Sequence, residues 1–156
     1  MPFQVSLCNA IKQVISYIQG YLSIGKPLSG VIQCCDISAD GTKIIMYCED
    51  YSRVMISQDS GTTWIPSLTY DLTNYVAPNS LAISNDGTKM LATFNTGKLL
   101  LSTNSGTTWT AQAYLTGSNI AWLACGMSAD GQYMIGLTVT TQGAFISSNY
   151  GGSWTR

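Results

Sequence analysis

The chain has 156 residues and not one of them is histidine. That absence removes the imidazole ligand from any zinc site and the imidazole base from any nucleophile–base pair. Charge is scarce too: Asp, Glu, Lys and Arg make up 10 % of the sequence and the net charge is −1. The cations Lys12, Lys26, Lys43, Arg53, Lys89, Lys98 and Arg156 are scattered. A protein that binds nucleic acid or a membrane surface gathers its cations into a patch that neutralises phosphates, so neither partner is expected. No run approaches the roughly 20 apolar residues that span a bilayer. The opening MPFQVSLCNAIKQVISYIQG lacks a basic leader region and a small-residue cleavage site, and no Asn-x-Ser/Thr acceptor occurs. The expectation is a soluble protein without membrane insertion, inside a cell or in a virion. Cys8, Cys34, Cys35, Cys48 and Cys125 form no CxxC pair. Most lie in apolar runs where a thiol behaves as a small hydrophobe, and no metal or cofactor is expected.

What the chain does have is repetition. SQDSGTTW at 57–64 returns as STNSGTTW and SSNYGGSW, with Ser57, Ser102 and Ser147 spaced 45 residues apart. Upstream of each box an apolar run ends in Ser-x-Asp-Gly, at Ser38, Ser84 and Ser128, spaced 46 and 44. A second apolar run follows (IIMYC, MLATF, MIGLT), then a third that enters the box. Short runs rich in Ile, Val, Leu and Met, bounded by turn residues, read as strands. Asp-Gly between two of them reads as a hairpin turn, because Gly41, Gly87 and Gly131 accept the positive φ such a turn needs. Four antiparallel strands in about 45 residues is the period of a propeller blade. The fold class expected is therefore all-β: three β-propeller blades forming an incomplete ring within one chain.

Ser-x-Asp-x-Gly-x-x-Trp resembles the Asp-box, or BNR repeat, of sialidases, sortilin-type receptors, xyloglucan hydrolases and related β-propellers, over residues ~31–156. The resemblance implies that the box turns between the third and fourth strands, with the acidic side chain capping backbone N–H groups and the Trp packing inward. It implies these structural roles for Ser57, Asp59, Gly61 and Trp64, for Ser102, Asn104, Gly106 and Trp109, and for Ser147, Asn149, Gly151 and Trp154. Two boxes carry Asn where the family carries a carboxylate. An amide can replace a capping acceptor but not a catalytic acid, so the box reads as a folding device. A calcium-loop reading of Asp36, Ser38, Asp40 and Gly41 fails because Tyr47 stands where a bidentate Glu is required.

The expected organisation is an N-terminal segment (1–30), blade 1 (31–78), blade 2 (79–120) and blade 3 (121–156). The N-terminal segment has two readings. Leu7, Ile11, Val14, Ile15 and Ile18 fit the apolar stripe of a helix, while VISYIQG fits a degenerate strand of a partial blade. Closed propellers have 4–8 blades. Three blades are thus expected to be completed by self-association, two copies making a six-bladed ring, or by blades from another chain.

In a four-stranded blade the Asp-Gly turns and the boxes share one face, and the remaining loops share the other. Ligands are expected on that second face, where the loops after the second and fourth strands of blade 1 carry Glu49, Asp50, Tyr51, Tyr70, Asp71, Asn74 and Tyr75. Tyrosines stack on sugar faces and carboxylates accept hydroxyls, so glycan is a candidate partner. The sialidase relatives clamp a substrate carboxylate with three arginines; this chain has Arg53 and Arg156, and sialidase activity is not expected. The functional expectation is a non-catalytic β-propeller module for binding or assembly, within a larger viral, phage or microbial surface structure. The alternative is a glycan-binding lectin or a glycoside hydrolase of Asp-box type.

Overall fold

A computed structural model describes residues 21–22, 32–49, 53–67, 77–95, 97–112, 120–139 and 143–156. The described residues form twelve strands. β2 (Ile32–Ile37), β3 (Ile44–Cys48), β4 (Arg53–Ser57) and β5 (Thr63–Pro66) make the first blade in the order they occur in the chain. β6 (Pro78–Ile83), β7 (Met90–Phe94), β8 (Lys98–Ser102) and β9 (Thr110–Ala111) make the second. β10 (Trp122–Met127), β11 (Met134–Thr138) and β12 (Ala144–Ser147) make the third. Neighbours within each blade are antiparallel. In the third blade Thr155 forms a single antiparallel bridge to Ile146 where β5 and β9 stand in the other two. The expectation of an all-β propeller, open within the chain, is what the structure shows. β1 (Tyr21–Leu22) adds a fifth strand to the first blade, parallel to β5. Residues 5–20, read above as helix or strand, lie outside the described residues.

Each blade is apolar on both faces because the middle strands have no polar side, as β3 and β7 show by being buried at every position. Residues alternate between the face toward the following blade and the face toward the preceding one. Ile45, Tyr47, Val54 and Ile56 of the first blade meet Met90, Ala92, Phe94, Leu100 and Trp109 of the second. Leu91, Leu99 and Leu101 of the second meet Trp122, Met134 and Phe145 of the third. Burying one such side chain contributes about 1.5–3 kcal/mol, so each seam, with several of them, is a substantial source of hydrophobic stabilisation. The first blade's outward residues Met46, Cys48, Met55 and Trp64 are buried as well. The third blade's outward residues are not: Ile146 is 48 % and Leu137 37 % exposed.

The inner strands β2, β6 and β10 pack in succession. Each is irregular at the same place, with one extra residue between the first and second register pairs: Gln33, Asn79 and Leu123. Such bulges re-aim a side chain and sharpen the twist of the strand.

Candidate functional site

The boxes close one face of the stack. In the first, Ser57 Oγ donates to Asp59 Oδ1 (2.8 Å) and accepts from Gly61 N–H (2.8 Å). Asp59 accepts from the backbone N–H of Thr63 (2.8 Å) and from its hydroxyl (2.6 Å). The indole N–H of Trp64 donates to the Gly61 carbonyl (3.0 Å). Ser60 and Gly61 both take positive φ, 58° and 86°; the serine tolerates it because the turn is tied at both ends. In the second and third boxes Asn104 and Asn149 accept the equivalent backbone N–H groups, of Thr108 and Ser153, at 2.9 Å. There the hydroxyl bond reverses: the Asn side-chain amide donates to Thr108 Oγ1 (2.8 Å) and to Ser153 Oγ (2.9 Å). A hydroxyl can give or take, which is why carboxylate and amide interchange.

The Asp-Gly turns lie on the same face, bonded to the boxes by Ser60 N–H to Thr42 O, Ser105 N–H to Thr88 O and Tyr150 N–H to Gln132 O, at 2.9, 2.9 and 3.0 Å. Asp40 accepts from Ser38 Oγ (2.7 Å) and Thr42 N–H (3.0 Å). Asp86 and Asp130 repeat the pattern. These bonds, the serine hydroxyls first, hold the three carboxyls below the usual range, Asp40 at about 2. Asp59 is likewise lowered, chiefly by the Thr63 hydroxyl. A shallow groove of about 700 Å³ runs over this face, lined by Asn85, Asp86, Lys89, Ala129, Asp130 and Tyr150. A general acid at neutral pH needs a raised pKa, and both of its carboxylates are shifted the other way.

Among the described carboxyls whose shift is resolved, only Asp36 moves up. Burial raises it, against the bonds it accepts from the N–H groups of Ile83 and Ile37. Both oxygens are thus occupied, one across the first seam, and the group is a structural acceptor rather than a proton donor.

On the opposite face lie the bulges. Gln33 and Asn79 stand exposed at the starts of β2 and β6. Gln33 donates its side-chain amide to Glu49, the exposed residue that follows β3. Asn79 donates to the carbonyl of Trp122, linking the second blade to the third, and Leu123 is the third bulge residue, 54 % exposed. Of the expected ligand residues, the structure places Glu49 here; Asp50, Tyr51, Tyr70, Asp71, Asn74 and Tyr75 lie outside the described residues. Gln33 and Asn79 were missed in the sequence. Their signal was the spacing: 33, 79 and 123 repeat the 46- and 44-residue steps of the turn serines. Among the described residues no group of His, Cys, Asp or Glu could hold a metal ion, and no helix is long and apolar enough to cross a membrane.

No protein-family model and no curated protein matches the chain. Solved structures do. YCF48 bound to D1 peptide matches with a TM-score of 0.63 at 16 % identity, over 81 % of this chain and 40 % of that one. The GH74 enzyme of Niastella koreensis matches at 0.61 and 19 %, over 81 % and 18 %. The WD40 repeats of RRP9 match at 0.62 and 12 %, over 83 % and 38 %. At these identities the likeness shows the propeller fold and nothing finer. The chain spans well under half the length of each.

Proposed function

We propose that the chain is a non-catalytic propeller module of the Asp-box type that binds a polypeptide partner on the face bearing Gln33, Glu49, Asn79 and Leu123, within a larger surface assembly. The observation that carries this reading is where the carboxylates go. Asp40, Asp59, Asp86 and Asp130 are lowered and committed to turns, and Asp36 is committed to a seam. What faces outward at the bulges is an uncharged amide pair, a carboxylate and a leucine, groups that hydrogen-bond a peptide backbone and cover an apolar side chain. A structural neighbour solved with a bound peptide supports such a use of this fold.

The test pairs a displayed random-peptide library with a glycan array and hydrolysis assays on xyloglucan and on neutral and acidic glycans. The expected result is selected peptides that lose binding at least tenfold with Gln33→Ala or Asn79→Ala, and no hydrolysis. Release of sugar by the pure protein, or selective binding on the glycan array, would replace this reading with the glycan one.

A further inference from the structure

The two seams are built alike, and the third blade carries the leading half of another. At the first seam the Ala39 N–H donates to the Asn85 carbonyl (2.9 Å), and at the second the Asn85 N–H donates to the Ala129 carbonyl (2.7 Å). Ala129 is next in this series, and its own N–H takes no partner among the described residues. A long side chain then crosses each seam. Lys43 lies over the turn of the second blade, where a Cβ on Gly87 would fall 2.4 Å from its Cδ, and its Nζ bonds the Asp86 carbonyl (3.0 Å). Lys89 lies over the third, 2.5 Å from a Cβ on Gly131. The third blade has Tyr133 at that position, 56 % exposed. The side chains that face the next blade follow suit: at one register position Tyr47 and Thr93 are sealed at their seams and Leu137 lies open, and at another Ile56 and Leu101 are sealed and Ile146 lies open.

The geometry points to a further blade of the same repeat class as the occupant of this face. Its required chemistry can be read from the two seams already made: a backbone carbonyl for Ala129 N–H, a glycine beneath Tyr133, and an apolar trailing face closed by a box tryptophan. A second copy of this chain does not supply these. Its first blade's trailing residues, Met46, Met55 and Trp64, are already buried. Two third blades set face to face would bring donor against donor. The inference goes beyond the peptide-binding face, which is on another side of the molecule, and neither needs the other.

A 45-residue extension tests it. Residues 67–111 copied after Arg156 continue the repeat in frame, since Trp154 and Trp109 are 45 apart, and present the trailing face that the first blade already accepts. Hydrogen exchange of the full chain and the extended chain is compared at Ala129 and at Met134–Thr138. The expected result is exchange slowed at least tenfold in the extended chain, and slowed less when the copied Gly87 is replaced by Val beneath Tyr133. Unchanged exchange overturns the inference, whether the added segment folds apart or stays unfolded. So does a dimer of the unextended chain in sedimentation that Leu137→Asp or Ile146→Asp abolishes, because the face would then belong to a second copy. Neither result bears on Gln33 or Asn79.

Discussion

Asp36 of the first blade accepts the backbone N–H of Ile83 in the second at 2.9 Å, while its other oxygen accepts Ile37 N–H at 3.0 Å. This side chain ties an inner strand to its neighbour. Asp36→Asn keeps one acceptor but turns an amide donor toward the other N–H. An unmet buried donor costs about 1–3 kcal/mol, and urea unfolding of the variant is expected to fall by that amount, with Asp36→Ala falling further. An unchanged midpoint would show that the seam does not depend on this bond.

Acid should expose the turn carboxylates. Asp40, Asp59, Asp86 and Asp130 are lowered in the folded chain, so their contribution is present above the ordinary value of 3.8 and is lost as pH falls through the folded values. Asp36 is raised by burial and acts in the opposite sense, contributing below 3.8 and losing that contribution as pH rises through its folded value. With four groups against one, urea midpoints are expected to drop between about pH 4 and pH 2. The combined Asp40→Asn, Asp86→Asn, Asp130→Asn chain should drop less.

The box tryptophans should rank by burial. Trp64 is buried with its indole N–H on Gly61, Trp109 is buried with its N–H on Ser67 (2.7 Å), and Trp154 is partly exposed with its N–H on Gln112 (3.2 Å). Trp64→Ala and Trp109→Ala are expected to cost about 3–5 kcal/mol in denaturant unfolding, and Trp154→Ala clearly less. Asn104→Asp, which restores the first box's acceptor, should stay within about 0.5 kcal/mol of the parent. A larger loss would mean that the Asn104 amide-to-Thr108 bond is not replaceable.

Two box glycines separate strain from crowding. Gly61 and Gly106 both hold positive φ, 86° and 77°. A Cβ at Gly61 would meet nothing nearer than 3.6 Å, whereas at Gly106 it would fall 2.0 Å from Ile56 Cδ1 across the first seam. Gly61→Ala should therefore cost the backbone penalty alone, about 1–2 kcal/mol. Gly106→Ala should add about 1–3 kcal/mol for overpacking. Thermal unfolding of the two variants reads the difference directly.

The sequence carried the blades because their signals are local: a run of four to six apolar residues, an Asp-Gly turn, a box. The amide-for-carboxylate exchange at Asn104 and Asn149 is likewise visible in the chain itself, and it argues for a cap because an amide keeps the acceptor and loses the acid. Contacts between blades left no such mark. In the sequence Asp36 looks like nothing more than the first position of an incomplete calcium loop, because nothing near it in the chain announces Ile83, 47 residues on. The bulges at Gln33, Asn79 and Leu123 look like ordinary strand residues, since a bulge is a relation to the partner strand. Trp122, which fits no box, packs against Phe145 and into the space that Gly136 leaves open; its role depends on a glycine 14 residues away. Loop residues such as Tyr70 and Asp71 had composition to recommend them but no periodicity to fix their position.

The carbonyl-to-amide series through Ala39, Asn85 and Ala129 makes the stack a one-dimensional chain of coupled units. In such a chain a lesion is felt by the seams it touches. Damage to the second blade loosens both seams, and damage to the third loosens one. Unfolding should therefore not be uniform: the third blade, held on a single side, is the unit from which the structure frays, and the middle blade is the last to lose its neighbours.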